Sequence, residues 1–364
     1  MLLGNCGPFT DVAADVFCPF VLEIFYLGIT TGTTATTYDP ASNVTRLQMA
    51  AFLSRTVDGV LKRGSRRASL DQFWSAQNST VLAITTVGSS PEIVKSDGKD
   101  LWVSNFFGNG SGSVSRVRAS DGKLLETWTG ADSATGVVIA MGRVLVSGYS
   151  NSQLYSIDPS QAAGAVTTVA SGLGANASRL AFDGARVWAA SSSPTISIIT
   201  PTGSIPWTVT NVGGFGLPAG LVFDGANIWA TDANAGTLLK LSSAGAVLQT
   251  VTVGAAPNFP TYDGSNIWVP NNGSGSVSVV RPSTGAVLAT ITGNGLTDPA
   301  GTAFDGQRIL VTSLTGNALS LFKAADFSPL GFVSTGASTN PKAACSDGAN
   351  FWIALNSASA LARL

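Results

Sequence analysis

The sequence predicts a mainly β chain, a seven-bladed β-propeller closed by a strand swap and preceded by a small helical module. Three observations carry that prediction. An Asp-Gly turn followed by a bulky apolar residue recurs at Asp97-Gly98 before Trp102, Asp183-Gly184 before Trp188, Asp224-Gly225 before Trp229, Asp263-Gly264 before Trp268, Asp305-Gly306 before Leu310 and Asp347-Gly348 before Trp352. A degenerate copy, Met141-Gly142 before Leu145, brings the count to seven. Successive glycines lie 44, 42, 41, 39, 42 and 42 positions apart, and a period near that length with strand-turn-strand texture marks a propeller blade. Residues 1–57 are expected to form the helical module, 58–78 a basic linker with a short helix, and 79–364 the propeller.

The front module opens with Phe9-Thr10-Asp11-Val12. A helix is expected from Phe17 to Leu27, with Phe20, Ile24 and Leu27 on one face. Gly28-Ile29-Thr30-Thr31-Gly32 and Tyr38-Asp39-Pro40 follow. Thr45 is placed to cap a second helix, with Gln48 three residues on as in a capping box. In the linker, Lys62, Arg63, Arg66 and Arg67 form a basic cluster around Gly64-Ser65. It reads as a solvated helix end or as an auxiliary contact to an anionic polymer or lipid surface. Residues 68–74 are expected to be helical and to lean on the propeller through Phe73 and Trp74.

One repeat illustrates the blade. Asp263-Gly264 is expected to be a two-residue hairpin turn. Asn266 to Pro270 reads as a strand, Asn271 to Gly275 as a loop, Ser276 to Arg281 as a half-buried alternating strand and Ala286 to Ile291 as an outer strand. The bulky residue after each Asp-Gly is expected to pack between neighbouring blades. The repeat frame is offset from its ends: residues 80–87 match an outer strand, and residues 360–364 match a third strand. The first segment should therefore complete the last blade and remove the open edges.

Composition narrows the function classes. Charged residues are 11% and the net charge is −1, so no basic field favours nucleic acid. No run of 18 apolar residues exists, and no membrane span is expected. Histidine is absent, which removes the commonest general base. With no Cys-x-x-Cys spacing either, neither zinc nor any other metal or cofactor is expected. The three cysteines leave two readings: three buried thiols, or a Cys6–Cys18 bridge with Cys345 free.

Units such as Tyr262 to Val269, followed by Ser276 to Val280 and Thr284 to Ile291, resemble YVTN-type propeller repeats of bacterial surface and exported proteins. The front module resembles the S-layer homology domain, through Phe9-Thr10-Asp11-Val12, Gly28-Ile29-Thr30-Thr31-Gly32 and Thr45-Arg46-Leu47-Gln48 with Ala50, Phe52 and Leu53. That resemblance implies attachment to cell-wall polysaccharide or peptidoglycan, with Arg46 at the glycan-contact position flanked by Thr45 and Gln48. A guanidinium suits a pyruvyl or phosphate group because it offers a planar bidentate fork. Gln48 stands where the family usually has Glu, and one repeat is visible where strong binders in the family use three. An extracellular, wall-associated location follows, with an export signal expected upstream of Met1. The oxidising compartment in turn implies the Cys6–Cys18 disulfide.

The propeller is expected to be non-enzymatic, a binding or structural platform. Propeller lyases similar to virginiamycin B lyase lean on histidine, and gluconolactonase-type hydrolases gather acidic residues and Asn around an axial metal. Here Glu92, Asp132, Asp232 and Asp298 fall in different repeats with no common offset. An enzyme of either type is the alternative. Asn105, Phe106, Asp232, Asn234, Asn258, Phe259, Asn271 and Asn272 are candidates for a face that takes a protein or glycan ligand. The same residues also suit plain tight turns.

Overall fold

The computed structural model describes residues 6, 8–12, 17–26, 29–53, 83–107 and 112–364. The basic cluster Lys62, Arg63, Arg66 and Arg67, and the helix expected at 68–74, lie outside the described residues. The chain divides into two compact units, Met1–Gln77 and Asn78–Leu364.

In the first unit a helix spans Cys18–Tyr26, and residues 46–53 form a second. Cys6 and Cys18 are joined as a disulfide with their Cα atoms 5.5 Å apart. The core gathers Cys6, Phe9, Val12, Cys18 and Val21, with Leu22, Phe25 and Tyr38 packed against it. This corrects the expected helix face. Phe20 is 62% exposed while Val21 is 5% exposed, because the disulfide at Cys18 turns the stripe through Val21, Leu22 and Phe25 inward. Phe9 meets Phe25 edge-on at 5.1 Å and Tyr38 at 5.8 Å. Gly32, at φ 77°, lies so close to Phe9 that an added Cβ would sit 2.4 Å from the ring. Asp11 accepts the backbone N–H groups of Tyr38 and Asp39 at 2.9 and 2.7 Å. Those bonds hold the Asp11 carboxyl below its ordinary range.

The second unit is a ring of seven four-stranded antiparallel sheets. Blade 1 comprises Pro91–Ser96, Asp100–Asn105, Ser113–Arg118 and Leu124–Thr129. Five further blades begin with the inner strands Ala134–Ala140, Ala177–Phe182, Pro218–Phe223, Thr261–Tyr262 and Pro299–Phe304. Blade 7 is Pro341–Ser346, Phe351–Leu355 and Ala360–Arg363, completed by Ala83–Thr86 from the start of the unit. The closing register pairs Ala83 with Arg363 and Thr86 with Ala360. The swap thus leaves no blade one strand short.

The repeated Asp and Trp are bonded partners. Trp102, Trp188, Trp229, Trp268 and Trp352 donate their indole N–H to Asp97, Asp183, Asp224, Asp263 and Asp347 at 2.7–2.8 Å. The other carboxylate oxygen of Asp263 accepts the N–H groups of Ser265 and Asn266 at 2.8 and 2.6 Å. The strand pair ends at Tyr262–Ile267, so this turn holds four residues, not the two expected from Asp-Gly. The two-residue turn is found in blade 2, where Ala140 pairs with Arg143 and Met141 and Gly142 sit at φ 54° and 68°. That is the geometry of a type I′ turn. The Asp and the Trp are lost there together. The five tryptophans are at most 1% exposed and pack with the following blade's core, as Trp102 does with Val144 and Val146.

Blades approach closely at the axis. An added Cβ would lie 2.7 Å from Ser178 O at Gly136, 2.7 Å from Asn258 O at Gly220 and 2.7 Å from Lys342 O at Gly301. Side chains latch neighbours together: Ser104 Oγ donates to Thr135 O at 2.6 Å, Thr231 Oγ1 to Asn258 O at 3.0 Å and Thr312 Oγ1 to Lys342 O at 3.2 Å.

Candidate functional site

In the first unit the second helix begins with a complete capping box. Gln48 N–H donates to Thr45 Oγ1 at 3.2 Å, and Thr45 N–H donates to Gln48 Oε1 at 2.8 Å. Arg46 follows the cap, exposed, its side chain making no hydrogen bond or ion pair to another described residue. A cation at a helix N-terminus is mildly unfavourable by itself. An anion bound there would be favoured by the guanidinium and by the helix end together. Thr45 and Gln48, both exposed, bond each other's backbone N–H and so position Arg46 at the helix start.

On the propeller, three of the expected face residues are corrected to structural anchors. Asn105 and Asn271 are fully buried, and each donates its amide to two serines: Ser113 and Ser115 at 3.1 and 3.0 Å, Ser276 and Ser278 at 3.1 and 3.0 Å. Asp232 is 4% exposed and accepts the N–H groups of Gly216, Leu217 and Ala235 at 2.6, 3.0 and 3.1 Å. All three stand eight positions after the repeat's Asp, at the end of a second strand, where a polar side chain ties down the adjoining loops. Burial raises the Asp232 carboxyl, but the backbone donors outweigh it and hold the group below its ordinary range. Asn272 is half-buried and donates to Asp298 O at 3.0 Å. Asn234 is exposed, and Asn258 is half-buried with its carbonyl taken by Thr231. Phe106 is half-buried, edge-on to Tyr149 at 5.8 Å.

Phe259 is half-buried at the axis, where the structure gathers a charged cluster that the sequence reading did not anticipate. Lys342 Nζ donates to Glu92 Oε1 at 2.6 Å. Asn356 Nδ2 donates to the same oxygen at 3.1 Å. Arg179 Nη2 lies 3.6 Å from Glu92 Oε2, and its guanidinium sits 4.0 Å over the Phe259 ring. Blades 1, 3, 5 and 7 thus meet across the centre. A signal existed. Counted back from the Asp of each repeat, Arg179 falls at the fourth position, and Glu92 and Lys342 at the fifth, where the other repeats carry no charged residue. Asp132 and Asp298 lie in loops away from this cluster: Asp132 takes a bond from Ser133 Oγ, and Asp298 takes the N–H of Thr315 at 2.6 Å. Among the described residues no group of three or more Cys, Asp or Glu is arranged to hold a metal.

Fold and module together define a seven-bladed propeller protein that carries a wall-type module in the same chain. The S-layer homology domain family matches residues 8–50, so the chain contains an S-layer homology domain, a class associated with the cell surface. Among solved structures, virginiamycin B lyase from Staphylococcus aureus is 14% identical with a TM-score of 0.65, covering 78% of this chain and 98% of its own. A catalytically inactive His-to-Ala variant of that enzyme, crystallised with quinupristin, is 13% identical with a TM-score of 0.64 over 78% of this chain and 99% of that one. The WD40 β-propeller domain of Doa1 is 13% identical with a TM-score of 0.60, over 78% of this chain and 95% of that one. At these identities the likeness is one of fold. No curated protein sequence matches the chain. No described helix is long and apolar enough to cross a membrane.

Proposed function

We propose that this is a non-enzymatic, exported cell-surface protein whose S-layer homology module binds an anionic cell-wall glycan and whose propeller serves as a binding or structural platform. The carrying observation is the family match over residues 8–50, with Arg46 exposed at the start of the capped helix. The disulfide-bonded core suits an oxidising compartment. The lyase or hydrolase reading draws on the fold likeness to virginiamycin B lyase. Against it stand the absence of histidine from all 364 residues and the inactivity of that enzyme's His-to-Ala variant.

The test is a pull-down on purified wall material at low and moderate salt. Arg46→Ala is expected to cut binding about tenfold or more, as the loss of a charge-assisted hydrogen bond would. Arg46→Lys restores only part. Wild-type binding by Arg46→Ala, with binding abolished on neutralising Lys62, Arg63, Arg66 and Arg67, transfers the role to the linker. Turnover of a streptogramin B by the purified chain would overturn the non-enzymatic reading.

A further inference from the structure

The inner strands of all seven blades enclose a cavity of about 50 Å³ on the propeller axis. Its volume suits a few waters or one small ion. Two cations line it, Lys95 and Arg179; Lys342 joins them through its ion pair with Glu92, the one carboxylate paired with any of the three among the described residues. Oε1 of that carboxylate already accepts from Lys342 and Asn356. Its Oε2 is 3.6 Å from Arg179 Nη2, too far for a hydrogen bond. Arg179 Nη1 spends one proton on Ser178 O at 3.0 Å. The Arg179 Nε–H is buried with no hydrogen-bond partner, and a buried unpaired donor on a charged group is costly. Lys95 has no ion-pair partner among the described residues and keeps solvent contact through the channel, although protein surrounds it. The channel therefore carries two positive charges beyond what Glu92 neutralises, in a chain whose net charge is −1.

We propose that the axial channel is an anion site, taking a single small oxoanion group, a carboxylate or a phosphate, beside the Arg179 guanidinium and next to the Lys342 ammonium. The guanidinium and the ammonium supply charge-assisted donors. Phe259 backs the guanidinium and fixes its plane. Lys95, exposed on the same inner strand as Glu92, adds long-range attraction. The cavity's volume of about 50 Å³ limits the occupant to a small group or the charged tip of a larger ligand. Desolvation lowers the pKa values of Arg179 and Lys342, with Glu92 opposing it in each case. The Arg179 charge lowers Lys342 further, so the two cations repel across the site. The inference concerns the propeller alone and holds whether or not the front module binds wall polymer.

The test uses the full chain with inorganic phosphate and with acetate, by isothermal titration and thermal shift, against chloride at equal ionic strength. A saturable, one-to-one response to either probe beyond chloride is expected. Acetate alone identifies a carboxylate site, phosphate alone a phosphate site, and both a general oxoanion site. Arg179→Gln should weaken that binding about tenfold or more, and Lys342→Gln provides the same reading if the first variant does not fold. Arg46→Ala should leave it unchanged, which separates this site from wall binding. No saturable response to either probe, or full binding by both axial variants, overturns the proposal.

Discussion

Trp188 donates its indole N–H to Asp183 at 2.8 Å, and the bond closes a small unit within one blade. The same carboxylate accepts the backbone N–H groups of Ala185 and Arg186 at 2.9 and 2.6 Å. One side chain therefore shapes the turn and fixes the rotamer of the ring that fills the seam to the next blade.

Asp183→Ala should cost about 2–3 kcal/mol in urea unfolding, since it removes several bonds to a carboxylate that is 9% exposed. Asp183→Asn keeps the shape and one acceptor and should cost less. Met141→Ala, in the blade that lacks this bond, should stay within about 0.5 kcal/mol. Equal losses at 183 and 141 would refute the role assigned to the pair.

Deleting residues 83–88 removes the strand that covers Ala360–Arg363. The bare edge should drive unfolding or oligomerisation, read by light scattering and calorimetry. A monomer with unchanged Tm would show that the ring does not depend on this closure.

Stability should fall on the acid side of neutrality. Burial raises Asp97 and Asp183, but the indole and backbone donors outweigh it and leave both below their ordinary range. For Asp298, burial is likewise outweighed, here chiefly by the Thr315 N–H. Folded values below unfolded ones mean a contribution that is complete above the ordinary carboxylate range and lost as pH drops through the folded values. With no histidine to titrate, Tm should be flat from pH 5 to 8 and decline below about pH 4. A step near pH 6.5 would contradict this.

Thiol counting should find one reactive group, and only after denaturation. Cys345 is buried, and burial pushes its thiol up to about 12. Reducing Cys6–Cys18 should loosen the first unit by about 3 kcal/mol, the scale for a loop of this length, with the propeller's transition unmoved. Three thiols without reductant would exclude the bridge.

The parts legible in the sequence are those written in one stretch of chain. Thr261 to Thr292 displays a whole blade, and Thr45 and Gln48 show their cap by spacing alone. The offset between residues 80–87 and 360–364 foretold a closure whose described strand is Ala83–Thr86. Parts assembled from distant stretches were hidden. Phe20 and Val21 share one helix, and only the position of the Cys6 bridge decides which faces inward. Asn105 and Asn271 look like loop residues, yet the serines that bury their amides come from the next strand. Arg179, Glu92 and Lys342 sit in three different repeats and acquire meaning only around a common centre.

Glu92 and Lys342 are 250 positions apart and directly bonded. That contact cannot form while the ring is a partial arc, because each blade meets only its neighbours until the last joins the first. The axial charge pattern is thus a property of the completed circle and of no fragment of it. Any solute that occupies the axis would recognise finished molecules alone and, by mass action, hold them closed.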